Sequence, residues 1–209
     1  MWPKFFALIT IACLSSSYGY AGKYNSILSI GDPMPTFERL PSVSGETLSS
    51  SDLTSEVVVL VSLANHCPWV RGMDPQLVSL ANQFKDRDVT IVGFGVNHRE
   101  DDRLPAMKKH AQEQGYDFPY VYDESQELGR KLGATRTPEY FVFNREGKLV
   151  YMGLITNSPA KVTFGGSIKH INGKPTEFYV SDAIEATLAG KPVAVAETRA
   201  HGCSVKYEN

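Results

Sequence analysis

Seven consecutive residues, Val57-Val58-Val59-Leu60-Val61-Ser62-Leu63, constrain this chain more than any other segment. An unbroken β-branched run reads as a strand apolar on both faces, and such a strand needs a layer of other elements on each side of its sheet. Pro68 follows at a position suited to the first turn of a helix, and Val70, Met73, Leu77, Leu80, Ala81 and Phe84 recur at helical spacing. Thr90 to Val96 repeats the strand signal, and Leu104 to Gln114 reads as a helix ended by Gly115. A short helix opened by Asp123-Glu124-Ser125 runs through Leu132 to Gly133. Tyr140–Phe143 and Leu149–Met152 then form a hairpin around Asn144-Arg145-Glu146-Gly147. Thr36–Leu40 alternates like a short half-buried strand, and Ser181-Asp182 is placed to cap a last helix, Ala183 to Ala189, that Gly190 ends. The sum is an α/β fold with a central mixed β-sheet flanked by helices.

The N-terminus reads differently. Lys4 precedes an apolar run, Phe5 to Leu14, too short to span a bilayer, and small residues at Gly19 and Ala21 predict cleavage after Ala21. Residues 1–21 are therefore read as a signal peptide, residues 22–190 as the folded domain, and residues 191–209 as a weakly patterned tail. A rival reading anchors the chain through Cys13 as a lipoprotein. Either way the protein is exported, secreted or periplasmic, with no membrane span after signal removal. Lys plus Arg count 21 against 23 for Asp plus Glu, a net charge of -2 without a basic run, which argues against nucleic acid as a partner.

Export leaves Cys67 and Cys203 in an oxidising compartment, where two lone thiols either pair or work. Cys67 lies where the long strand gives way to a helix, within Asn65-His66-Cys67-Pro68-Trp69-Val70-Arg71. At a helix N-terminus the unpaired N–H groups and the dipole favour thiolate over thiol, and Arg71 and His66 add to that bias. Arg136-Thr137-Pro138 forms the second feature, a proline entering a strand, where a cis peptide is plausible. Arg136 is a further cation that can face Cys67. His98, His110 and His170 read as surface or loop residues. His66-Cys67 and His201-Gly202-Cys203, if brought together, would make a two-sulfur, two-nitrogen set suited to zinc or copper.

Gly31-Asp32-Pro33-Met34-Pro35, the buried strand ending near Cys67, Phe118-Pro119-Tyr120, Thr137-Pro138, Leu188-Ala189-Gly190-Lys191 and Gly202-Cys203-Ser204-Val205-Lys206-Tyr207 together resemble the thioredoxin-like superfamily, and within it the peroxiredoxin-like, redoxin-domain proteins. The match runs from about Gly31 to Tyr207. It implies a thioredoxin-like fold, Pro138 as a cis-proline beside the active thiol, and Thr137 offering backbone hydrogen bonds to a thiol partner. Departures are equally plain. Val70 stands where the second cysteine of C-x-x-C would be, no Pro and Thr or Ser precede Cys67 in the peroxidase pattern, and Arg136 stands where many relatives carry a cysteine. Against the family pattern, Cys203 is the remaining resolving thiol.

The expectation is an exported thiol-based redox protein, a thiol-disulfide oxidoreductase or a peroxiredoxin-like antioxidant. Cys67 is its nucleophile and Cys203 its partner; Arg136, Thr137 and Pro138 complete the site, with His66, Pro68, Trp69 and Arg71 around it. It needs no cofactor, acts on a thiol, disulfide or peroxide substrate, and is served by a reducing partner protein. The alternatives are a copper or zinc module using His66, Cys67, His201 and Cys203, or a non-catalytic interaction domain.

Overall fold

A computed structural model describes residues 22–209; the signal-peptide reading and Cys13 lie outside the described residues. In chain order, β1 (Leu40–Pro41) and β2 (Thr47–Leu48) form a small ribbon. They are followed by β3 (Val57–Leu63), α1 (Pro68–Phe84), β4 (Val89–Gly95), α2 (Leu104–Gln114), β5 (Tyr120–Tyr122) and α3 (Glu127–Leu132). Then come β6 (Arg136–Thr137), β7 (Glu139–Phe143), β8 (Leu149–Gly153), β9 (Ala160–Val162), β10 (Ile168–His170), α4 (Tyr179–Leu188) and β11 (Cys203–Ser204).

The main sheet has five strands in the order β5-β4-β3-β7-β8. β3 runs parallel to β4 and antiparallel to β7, so the sheet is mixed and β3 is its centre. Side chains alternate across a strand, which sorts the β3 run into two cores. Val57, Val59, Val61 and Leu63 join buried residues of α1, α2 and α4 on one face. Val58 and Leu60 join Phe94, Phe141, Phe143 and the α3 residues Leu128 and Leu132 on the other. Every residue of β3 is buried.

Helix α2 has the expected bounds, and its end is set by Gly115, whose φ of 73° is left-handed and whose N–H reaches Ala111 O. Two expectations need correction. Thr36–Leu40 is not a strand: Pro35 cannot donate, Arg39 has a φ of 51°, and Phe37 is tied instead to Ser50 through both its N–H and its carbonyl. Only Leu40–Pro41 pairs, with Thr47–Leu48. The last helix starts at Tyr179 with Phe178 as its N-cap residue, ahead of Ser181-Asp182, because Val180, Ala183 and Ile184 share one buried stripe and burying Val180 extends the helix backwards.

The tail is part of the fold. Met152 N donates to Ala196 O and Thr198 N to Met152 O, laying residues 196–198 beside β8. Further on, β11 pairs antiparallel with β6, Cys203 opposite Thr137 and Ser204 opposite Arg136.

Candidate active site

Cys67 is the N-cap residue of α1, with Pro68 opening the helix and the Arg71 N–H donating to Cys67 O at 3.1 Å. The central strand ends four residues earlier, so the thiol sits at the C-terminal edge of the sheet, where α/β folds place their chemistry. Cys67 is fully buried, and what covers it is the tail: Cys67 and Cys203 are joined as a disulfide with Cα atoms 6.0 Å apart. Bridging a sequence separation of 136 contributes about 5 kcal/mol in the chain-entropy view of disulfides.

The tail is held in place by backbone and side chain alike. Val205 N donates to Thr135 O, and Arg136 Nη1 donates to Ser204 Oγ at 2.6 Å. Gly202 lies so close to β6 that a Cβ there would collide with the Thr137 carbonyl, which explains a glycine beside Cys203. His201 meets Trp69 edge-to-face, ring centroids 4.3 Å apart, and Lys161 Nζ lies 5.2 Å over the other partner of that pair, the Trp69 ring. Beyond Cys203, Lys206 N donates to Asn97 Oδ1, Tyr207 OH to Ala134 O, and Glu208 N to Gln126 Oε1.

Thr137 and Pro138 are both buried, and the bond between them is cis. The Cys67 sulfur lies 3.2 Å from Thr137 O, an acceptor for its S–H in the reduced protein. Glu139 supports this turn from below: its Oε2 accepts from Thr135 N and Arg136 N at 2.8 and 3.0 Å, and burial raises its pKa above the ordinary carboxylate range.

The structure brings Cys67, Cys203, Thr137, Pro138, Trp69 and Arg136 together. Of the two arginines, Arg136 donates to Ser204 of the tail and Arg71 is exposed. His66 is half-buried and engaged by Asp102, its Nδ1 2.5 Å from Asp102 Oδ2 while its N–H donates to Oδ1. The metal set of His66, Cys67, His201 and Cys203 is not assembled. Both thiols are consumed by the disulfide, His66 faces Asp102, and His201 lies on Trp69; among the described residues no group of three or more His, Cys, Asp or Glu is placed to hold a metal ion.

Sequence reasoning passed over Asp102, almost completely buried at the end of the acidic run Glu100–Asp102. Asn65 belongs to the same anchor, donating to Asp101 O and accepting from Tyr120 OH. His110 was expected at the surface; it is buried in the α1–α2 contact, Nε2 3.1 Å from Asp74 Oδ2, because a histidine paired with a buried carboxylate is tolerated inside.

A mixed sheet flanked by helices, with a cysteine capping the helix after the central strand and a cis-proline turn beside it, defines a thioredoxin-like thiol protein. The chain belongs to the Redoxin family, whose model matches residues 29–164. Among solved structures it is similar to an uncharacterized conserved protein from Geobacillus kaustophilus, 32% identical, with a TM-score of 0.79, covering 88% of this chain and 95% of that one. It is also similar to the thioredoxin domain of a thiol-disulfide oxidoreductase from Bacteroides vulgatus, 25% identical with a TM-score of 0.53, covering 61% of this chain and 89% of that chain. A thiol:disulfide interchange protein of the thioredoxin family from Chlorobium tepidum is 27% identical, with a TM-score of 0.51 over 60% of this chain and 86% of that one. No curated protein matches the chain. Among the described residues no helix is long and apolar enough to cross a membrane.

Proposed function

We propose that this protein is an exported thiol-disulfide oxidoreductase whose working couple is Cys67 and Cys203. The observation that carries the reading is the bond between these two cysteines, formed at the N-terminus of α1 and beside the cis-proline turn. In the reduced protein the Cys67 thiolate attacks a disulfide of the target, and Cys203 then attacks the mixed disulfide, releasing the target as a thiol and closing the Cys67–Cys203 bond. Two electrons pass to the target, and a thiol-bearing partner protein restores them. Resemblance to the thiol-disulfide oxidoreductases supports this substrate class, and the leader-like residues 1–21 support export.

Turnover of insulin disulfides with dithiothreitol, on wild type, Cys67→Ser and Cys203→Ser, tests the reading. Loss of turnover in Cys67→Ser, with a trapped mixed disulfide in Cys203→Ser, is the expected result. Wild-type turnover in Cys67→Ser would remove Cys67 from the chemistry.

A further inference from the structure

We propose that the reducing thiol which regenerates this protein attacks the sulfur of Cys203, so that the tail cysteine, and not the helix-capping one, is the point where electrons enter. The inference rests on the reading of Cys67–Cys203 as a working couple and adds to it the direction of the return half of the cycle.

Two independent features select the sulfur. The first is access. Attack on a disulfide needs an open approach to the sulfur attacked. Cys67 is 0% exposed and packs in the core cluster with Val61, Leu63, Ala64 and Val70. Cys203 packs against the same cluster but is only partly buried, with the exposed Ser204 beside it on a two-residue strand. The second is the leaving group. When Cys203 is attacked, Cys67 departs at the N-terminus of a seventeen-residue helix, where free N–H groups stabilise the developing thiolate. When Cys67 is attacked, Cys203 departs from a two-residue strand and not from a helix N-terminus. Displacement is faster the better the leaving thiolate is stabilised, so both features point to the same sulfur.

The step balances as follows. A thiolate R–S⁻ forms a bond to Cys203 Sγ; the Cys67–Cys203 bond breaks, and Cys67 leaves with the electron pair. It later takes up a proton as a thiol with Thr137 O as its acceptor. A second thiolate attacks the R sulfur of the mixed disulfide, giving R–S–S–R and releasing Cys203, which is protonated in turn. Two thiols are oxidised and the protein disulfide is reduced. Throughout, the tail remains seated through Arg136–Ser204, Asn97–Lys206 and Ala134–Tyr207, so the mixed disulfide is carried on a docked strand. Cys67 meets its target only after this strand has moved aside.

The experiment uses the oxidised, full-length protein and reduced glutathione as the probe thiol. The reaction is quenched with acid at the earliest resolvable times, free thiols are blocked with an alkylating agent active at low pH, and peptides are mapped by mass. Expected are glutathione on the Cys203 peptide and the alkyl label on the Cys67 peptide, with Cys203 favoured by on the order of tenfold or more. Glutathione on Cys67 at the earliest times, or equally on both, overturns the inference while leaving the couple intact. A Cys67–Cys203 bond that is absent from the oxidised protein, or that neither glutathione nor dithiothreitol opens, refutes the couple itself and the inference with it.

Discussion

Gly202→Ala isolates the contact that lets the tail reach Cys67. A methyl group built on Gly202 runs into the Thr137 carbonyl and comes to 3.3 Å from the Pro138 nitrogen. These are backbone atoms of a buried turn, so no side chain can swing away to make room, and the strand itself must retreat. Forcing an extra methyl into a packed site costs about 1–3 kcal/mol. The cost is largest in the oxidised protein, where the disulfide fixes residue 203 opposite Thr137; with the bond opened, residue 202 is free to shift away from the carbonyl and shed part of that strain. For a two-electron couple about 1.4 kcal/mol corresponds to 30 mV, so the reduction potential should rise by roughly 20–65 mV. Equilibration in glutathione buffers, acid quenching and counting of alkylated thiols measures it. A potential within about 10 mV of wild type, or a lower one, would refute the steric argument, since the conversion gives no room for a strain of that size.

Other substitutions probe the scaffold. Phe141→Ala empties a fully buried position of the core opposite α1 and should cost about 3–5 kcal/mol of unfolding free energy in urea, with a smaller loss showing that the site collapses. Glu139→Gln keeps an acceptor for the Thr135 and Arg136 N–H groups and should be nearly neutral, whereas Glu139→Ala leaves both unpaired and should cost about 1–3 kcal/mol by the same denaturation. Because burial raises the Glu139 pKa, its favourable contribution is complete below the ordinary carboxylate value and is lost as pH rises through the folded value; Glu139→Gln should remove that part of the pH dependence. His98 Nδ1 donates to Glu208 Oε1 at 2.5 Å, and this hydrogen bond, with that to Glu124 O, raises its pKa above 6.5. The contact stabilises the tail fully below that value and is lost as pH rises through the higher folded one, so an NMR titration of His98 should move down towards about 6.5 in Glu208→Gln.

The β3 run was legible in the sequence because a strand buried on both faces has no polar alternation and few other ways to satisfy its side chains. Helix α2 was legible for a related reason: its apolar spacing and Gly115 are local signals that tertiary packing had no cause to override. The same locality placed Cys67 at a helix N-terminus, since the end of a strand and a Pro at the start of a helix are encoded within a few residues of it. Short pairings were not legible. β6 and β11 are two residues long, too short for any periodicity, and each exists only because the other lies beside it. Asp102 was passed over and His110 was placed at the surface for the opposite reason, since a polar residue inside a polar stretch gives no sign of burial until a partner from another element is seen against it.

Local patterns in the chain specify an α/β sheet with one thiol at the start of a helix and a second in the tail. Whether those thiols meet depends on the path of the whole chain between them, a separation of 136 that no local pattern specifies. Only the folded structure lays the tail along β8, pairs Cys203 with the Thr137 turn and closes it over Cys67. The physical reason is that the distance between Cys67 and Cys203 is set by the packing of every layer between them, while each cysteine's own setting is set by its immediate neighbours.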